Sequence, residues 1–538
     1  MKAGTANRAQ RKVPAAGRTV RADEPGAAPT DGAPVCLVRG RYVICGVTAG
    51  GEPSIVEDGA VAVVEGRIRE VGRRTELAAR YPAAETYGSP DDVVLPGLVN
   101  AHHHVGLSPF QLGSPDLPLE LWGLYRNAEP DVDPYFDTLC GAMELVASGV
   151  TAVQHLHRGA SGATGPDGWM RTAREVLRAY ADVGMRATFS FGLRDRNYLV
   201  YADDKAFIAG LPIELRSEAT AFVGRRKVPI EAQLTCVASM LEGLASAPNE
   251  LVRIQVAPTN PVWCSDDLLI KARDLAASYR TRLNIHVLET IYQQDWAARF
   301  YGTTAVRHMA DLGVLGPDTT ISHAVWLTPE DLDILANTGT VVCHNPSSNL
   351  RLRSGLAPIV ALASRGVPVA IGIDEAGIDD RKDILEEMRL ALSQQQGIRH
   401  GAPGLSATQV FGMCTRGGAR STGFDPEIGF LEPGRSADLV VLDWTPVETP
   451  YLDAGVRPID AVVRRAKPPV KAVFVAGRAI FRDGQFVHVD REAIHAQVRE
   501  RLSRGGRPEG VGAFAQRLLP HVRDFYSTWA GGNRDKEA

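Results

Sequence analysis

The histidines of this chain are spaced as metal donors would be. There are 13 in 538 residues. Seven of them, His102, His103, His104, His155, His157, His286 and His323, stand at or near the ends of short apolar runs rich in β-branched residues. His102 and His104 are two apart, so on a strand they leave one face while His103 leaves the other. Two neutral imidazoles on one face are half of a zinc-type site. His286 in RLNIHVLET, His323 in TTISHAVWL and Asp374 in PVAIGIDEAG each end another run of the same kind. Histidines and one aspartate around a divalent ion leave a position for water, which is the arrangement of a hydrolytic metal centre. A single His-x-His pair carries little weight in a chain with this many histidines. Candidate donors in matching positions on separate runs carry far more.

To meet, these residues need strands whose ends converge. Counting VVLPGLVNAH (93–102) as the first, eight β-like runs follow one another: 149–157, 186–195, 252–258, 282–290, 319–327, 340–346 and 368–377 complete the set. Helix-like segments such as WMRTAREVLRAYADVG and TPEDLDILANTG lie between most of them. Eight βα units in series predict an α/β chain built as a (β/α)8 TIM barrel, with its active face at the C-terminal strand ends. A doubly wound open sheet would want a Gly-rich phosphate turn after an early strand, and no GxGxxG occurs there. The barrel is expected over 98–430. Residues 35–97 and 431–489 are β-rich blocks too small to hide a sheet face alone, so they are expected to join in one composite β-sandwich. Residues 1–34 read as a disordered tail and 490–538 as a helical C-terminal extension.

Composition narrows the partners. Lys+Arg 59 against Asp+Glu 63 gives a net charge of −4, which argues against nucleic acid or a membrane surface as partner. No stretch is long and apolar enough for a membrane span, and the first 33 residues lack the apolar segment of a secretory signal. The 7 cysteines form no CxxC pair and read as reduced thiols of a cytoplasmic protein. The partner expected is a small-molecule substrate, with the chain forming a homodimer or higher homo-oligomer.

The motifs PGLVNAHHH (96–104), HVLE (286–289), SHAVWL (322–327), HNPSSNLRLRSG (344–355) and AIGIDEAG (370–377) resemble the amidohydrolase superfamily. More closely, they are similar to its cytosine-deaminase and triazine-hydrolase-like branch. The flanking blocks EGRIREVG, GFLEPGRSADLVVLDW and VKAVFVAGRAIFRDG agree, so the resemblance covers about residues 35–487. It implies that His102, His104, His286 and Asp374 bind the metal, with Asp374 also accepting a proton from its water. It further implies that Glu289 shuttles the proton and that His323 orients the water or the developing oxyanion. Two-metal members carry a bridging Lys on strand 4 or a Glu on an adjacent strand. The run VRIQVAP has no Lys, so one divalent ion is expected, Zn2+ first and Fe2+ or Co2+ as substitutes. The HxE/PCxxC deaminase, HExxH and GxSxG motifs are absent.

Two departures stand out. His155 and His157 form a second His-x-His, expected to line the substrate pocket, with an extra ion as the alternative. Glu375 and Asp379 follow the metal aspartate. They are either an acidic rim for NH donors of the substrate or the capped start of the helix DRKDILEEMRLAL (380–392). The activity implied is C–N hydrolysis with loss of ammonia or an amine from a small heterocycle. Amide, urea or carbamate hydrolysis and displacement of a ring halogen use the same attack and stay open. An inactive scaffold relative is disfavoured by the intact set of candidate residues.

Overall fold

The computed structural model of the chain describes residues 33–104, 106–126, 129–130, 132–158, 165–375, 380–397, 400–465, 468–504 and 511–529. The tail expected over 1–34 lies outside the described residues save for its last two positions.

At the start of the chain, β1 (Val35–Val47) and β2 (Pro53–Val64) pair antiparallel, and β3 (Arg67–Arg73) adds to β2. The β2–β3 turn is Glu65-Gly66, with φ of 49° and 79°, the left-handed conformation that matches strand twist in a two-residue hairpin. β4 (Glu85–Tyr87) and β5 (Asp92–Pro96) lie parallel to β1. The run expected as one barrel strand divides here. Gly97 N–H turns aside to Asp438 O (2.9 Å), leaving β5 in the outer sheet while β6 (Leu98–His103) enters the parallel one.

β7 (Val150–His157), β8 (Arg186–Leu193) and the short β9 (Val252–Ile254) and β10 (Ala257–Pro258) continue from β6 as one parallel sheet. β11 (Leu283–Val287), β12 (Thr319–His323), β13 (Val341–His344) and β14 (Val369–Ile371) make a second. These strands are buried along almost their whole length, as parallel strands covered by helices must be. The edges of the two sheets touch at both ends. Val256 bridges to Leu283, and His103 bridges to Asp374. The expected fourth strand breaks between Ile254 and Ala257 so that it can serve two neighbours. Gln255 N–H reaches Phe189 O (2.9 Å), while Val256 N–H reaches Arg282 O (3.1 Å).

The closing block returns to the first sheet. β15 (Leu439–Asp443) pairs with β5, and β16 (Val470–Val475), β17 (Arg478–Arg482) and β18 (Gln485–Phe486) follow. Because β15 docks directly on an edge of the opening block, the ladder is continuous. The two end blocks thus join in one rolled nine-stranded sheet. It curls until Ile68 exchanges backbone hydrogen bonds with Gly434 and Arg435 (both 2.8 Å). Val43, Val61, Ile68, Val94, Leu439, Val441 and Phe474 fill its inner face. The helices Arg491–Arg504 and Val511–Ser527 follow. The second buries Phe514, Leu518, Val522 and Tyr526 and packs on the helix Leu119–Arg126. The 7 cysteines are all free thiols. Among the described residues no helix is long and apolar enough to cross a membrane.

The rolled sheet and the parallel sheets are pinned by a buried ion pair. Arg186, at the start of β8, is 1% exposed and donates from Nε and Nη2 to the two oxygens of Asp438 (2.8 and 3.2 Å). Nη2 also reaches Ser436 Oγ (2.7 Å) and Nη1 reaches Glu250 O (2.8 Å). Removing one partner strands the other charge in the interior, at a cost of about 3–5 kcal/mol. Arg186→Leu is therefore expected to lose stability of that order in denaturant unfolding. An unchanged midpoint would show that the pair does not hold the layers together.

Candidate active site

Five side chains meet where the strand ends converge. His102 and His104 leave β6 on one face, as the strand repeat requires. The His102 ring centroid lies 4.6 Å from that of His104, 4.8 Å from His286 and 5.5 Å from His323. Asp374 Oδ1 is 3.0 Å from His104 Nε2 and 3.4 Å from His102 Nε2, and Asp374 Oδ2 is 3.9 Å from His323 Nε2. All five are buried. Donor atoms of His102, His104 and Asp374 lie within 4.8 Å of one another, as do those of His102, His286 and His323, and of Glu289, His323 and Asp374.

The far ring nitrogens are all engaged. His104 Nδ1 lies 2.7 Å from Leu156 O, and His286 Nδ1 lies 2.7 Å from Thr259 O. A carbonyl accepts only, so both rings carry their proton on Nδ1 and present a bare Nε2 inward. Those two Nε2 atoms face each other at 3.2 Å. Two lone pairs at that distance repel unless a cation draws them together. His102 Nδ1 meets Ser322 Oγ (3.1 Å) and His323 Nδ1 meets Asn349 Oδ1 (2.9 Å), the kind of outer support that orients metal-binding imidazoles. Burial holds His102 down to about 4 and His286 well below the ordinary histidine range, which keeps the rings neutral as ligation requires. The donor set fits one divalent ion.

The backbone is held in uncommon conformations here. Leu288, His323, Ala324 and Asp374 have φ of 51°, 73°, 50° and 64°, a left-handed cluster of the sort found at functional sites. Asp374 N–H and Ile373 N–H both reach His102 O (2.8 and 3.2 Å). That close approach needs Gly372, where a Cβ would lie 2.6 Å from His102 Cβ and against Asn345 Oδ1. Glu289 is 3% exposed and its Oε1 lies 3.9 Å from His323 Nδ1. Burial pushes its carboxyl up to about 7.

Residues 93–480 match the amidohydrolase family, and residues 59–84 match a bacterial imidazolonepropionase-like composite domain. The chain belongs to the amidohydrolase family. It is 31% identical over 450 residues, 82% of this chain and 92% of the relative, to a 5-methylthioadenosine/S-adenosylhomocysteine deaminase of Syntrophobacter fumaroxidans. It is 30% identical over 445 residues, 82% of this chain and 93% of the relative, to a 5′-deoxyadenosine deaminase of Methanothermobacter thermautotrophicus. Among solved structures, a zinc-bound adenosine deaminase from Xanthomonas campestris superposes with a TM-score of 0.70 at 25% identity, covering 87% of this chain and 98% of that one. A zinc complex of atrazine chlorohydrolase from Arthrobacter aurescens shares the fold, with a TM-score of 0.71 at 23% identity over 86% and 99% of the two chains.

This amidohydrolase departs from the sequence-based expectations at the pocket residues. His155 pairs in register with His103, so it shares the parity of His103 and faces away from the His102 cluster. His155 Nδ1 meets Tyr180 Oη (2.8 Å), its Nε2 meets His157 Nδ1 (3.2 Å), and His157 packs on Phe189 and Phe191. The second His-x-His thus belongs to the layer between strands and helices. Among the described residues it enters no group able to hold a metal. Glu375 is buried and pairs with Arg126, whose guanidinium lies 5.1 Å from the Trp122 ring. An arginine neutralises it, so it makes no acidic rim. It caps no helix either, since Asp383 is the N-cap of Ile384–Gln394. Asp379 lies outside the described residues. A cleft beside Asp374 is lined by Trp122, Ser348, Arg351 and Glu375.

Several supporting residues have no role in the sequence-based expectations, although Ser348 and Asn349 fall within the motif 344–355. After β13 the polar run 345–349 turns back under the site in the short helix Pro346–Arg351. There Ser348 Oγ donates to Asp374 Oδ2 (2.5 Å) and Asn349 meets His323. Glu120 accepts from Tyr201 Oη (3.0 Å) and from Thr290 Oγ1. Glu387, 2% exposed, accepts from Ser347 N–H (3.2 Å) and from the Ser347 hydroxyl. Burial pushes the Glu387 carboxyl up to about 8 from an ordinary 4.5. The stability tied to its protonated form is complete below about pH 4.5 and is lost as pH rises through about 8. Glu387→Gln keeps the shape without the charge. It should match the parent near pH 5 and exceed it near pH 9, by on the order of 1–3 kcal/mol in denaturant unfolding. Parallel pH profiles for the two proteins would rule out Glu387 as the source.

Proposed function

We propose that this amidohydrolase holds one divalent ion, zinc, through His102, His104, His286 and Asp374, and hydrolytically removes an amino group from a heterocyclic substrate. The substrate class favoured by its curated relatives is an adenine nucleoside altered at the 5′ position. Such an ion, when bound, supplies a water whose pKa is lowered to about 7. Asp374 would accept a proton from the attacking water. Glu289 carries a proton to the ring and then to the departing nitrogen. His323, whose Nδ1–H is held by Asn349 Oδ1, presents Nε2 as an acceptor that would orient the attacking water.

The observation that carries the reading is Glu289. It is 3% exposed, and its donor atom lies within 4.8 Å of those of His323 and Asp374. Burial raises its carboxyl toward the range where a group can both take and give a proton at neutral pH. An amine must be protonated to leave, whereas a chloride leaves as it is. A buried proton carrier therefore supports C–N cleavage over dehalogenation. The architecture is common to both chemistries. We take the two parallel sheets as a single (β/α)8 barrel closed at the Val256–Leu283 and His103–Asp374 bridges. The barrel then spans 98–430, with 35–97 and 431–489 as its companion domain and 490–538 as a helical extension.

The test combines metal analysis with ammonia release from 5′-deoxyadenosine, 5′-methylthioadenosine, aminotriazines and a chlorotriazine. About one ion per chain and ammonia from a nucleoside are expected. Glu289→Gln should keep the ion and lower deamination by about 10²–10⁴-fold, with a smaller loss on a ring chloride. Two ions per chain at full occupancy would overturn the single-ion centre. An equal loss across leaving groups would remove Glu289 from the proton path.

A further inference from the structure

The family match ends at residue 480, yet the helix Val511–Ser527 beyond it reaches into the frame of the active site. Tyr526 is 5% exposed, and its Oη accepts the backbone N–H of Tyr201 (3.1 Å). Tyr201 Oη donates to Glu120 Oε1 (3.0 Å) and accepts from Gln293 Nε2 (3.4 Å). Gln293 Oε1 in turn accepts the backbone N–H of Glu289 (2.9 Å) and Asn260 Nδ2 (3.1 Å). Tyr526, Tyr201, Gln293, Glu289 and Asn260 are buried, with the half-buried Glu120 at the branch. Among the buried members, losing a partner leaves a polar group unsatisfied.

The line ends on a peptide that needs support. Leu288, directly before Glu289, has a φ of 51°. Such a conformation costs on the order of 1–3 kcal/mol and persists only where neighbours over-determine it. Leu288 O receives Val325 N–H and Trp326 N–H (3.0 and 3.1 Å), and Gln293 supplies the support on the Glu289 side. Gln293 makes all its contacts from one amide, so its setting depends on what holds Tyr201. Tyr201 sits edge-on to Tyr526, with ring centroids 5.4 Å apart at 81°. Tyr292 and Trp529 enclose the Tyr526 ring at 5.1 and 5.7 Å.

We infer that Tyr526 is a positioning residue of the active site, and that the C-terminal helix sets the orientation of Glu289 through Tyr201 and Gln293. The inference rests on Glu289 being the proton carrier only for its kinetic consequence. The structural linkage stands apart from it.

The experiment uses the full-length, zinc-loaded protein and three variants, Tyr526→Phe, Trp529→Phe and Glu289→Gln. Hydrogen exchange by mass spectrometry reads the segment 286–293. Tyr526→Phe keeps the ring and removes only the hydroxyl. It should speed exchange in 286–293 by about tenfold, with metal content unchanged. Trp529→Phe, which loosens the same packing without touching the hydrogen bond, should leave 286–293 at the parent rate. With 5′-deoxyadenosine, Tyr526→Phe should lower kcat by about tenfold while KM stays within about twofold. That loss should vanish in the Glu289→Gln background, since the two changes act on one element. Exchange confined to 511–529 and 119–126 in Tyr526→Phe would make the helix a structural strut and overturn the inference. Full turnover in Glu289→Gln would instead remove the proton-carrier reading, and the exchange result would still decide the role of Tyr526.

Discussion

Two bare imidazole nitrogens, on His104 and His286, point at each other across 3.2 Å. Much of the surrounding structure makes that unfavourable contact unavoidable. Both rings are locked by backbone carbonyls of the neighbouring strands, Leu156 O and Thr259 O, so neither can turn over and offer a proton instead. The carbonyls are in place because parallel strands run in step and end together. The strands end together because the edges of the two sheets meet, one meeting point being His103 against Asp374. The fold thus concentrates lone pairs and one carboxylate at a single point and shields them from water. A cation is what this arrangement suits, and the amidohydrolase family supplies the chemical context for it.

Much of this was open to a reader of the chain because it follows from short-range periodicity. His102 and His104 share a face by strand alternation, and the eight runs and their intervening helices are visible as alternating patterns. His155 and His157 show where that reasoning ends. They have the same spacing as the metal pair, but their side is set by pairing His155 with His103. Register is a relation between strands, and no stretch of one strand encodes it. Glu375 illustrates the same limit in charge. Its neutralising Arg126 lies 249 positions away, so its local sequence shows an acid without its counter-ion. The outer sheet shows the same limit. That the two end blocks belong together follows from their size, but that β15 pairs beside β5 is again a relation between strands.

Supporting residues are harder still to read, because they act through single hydrogen bonds. Ser348 and Asn349 are ordinary polar residues until a six-residue helix brings them under Asp374 and His323. Glu120 lies in an apolar helix whose sequence suggests only packing. The C-terminal helix looks amphipathic and nothing more, although its Tyr526 hydroxyl is bonded to the backbone of Tyr201. In each case the fold spends polar groups in its interior where they constrain one another.

The bridge between His103 and Asp374 joins the first and last strands of the parallel array. The same two strands carry His102, His104 and, just past β14, Asp374. On the proposed ligation, the ion is therefore also a clasp on the seam where the chain's beginning and end close the array. A protein built this way has its folding equilibrium tied to the free-metal level, because any species that binds only the folded form stabilises it by mass action, about 4 kcal/mol at a thousand times the dissociation constant. As free metal falls, such an enzyme would lose activity with the ion and, in the same step, the stabilisation that the ion gave to the fold.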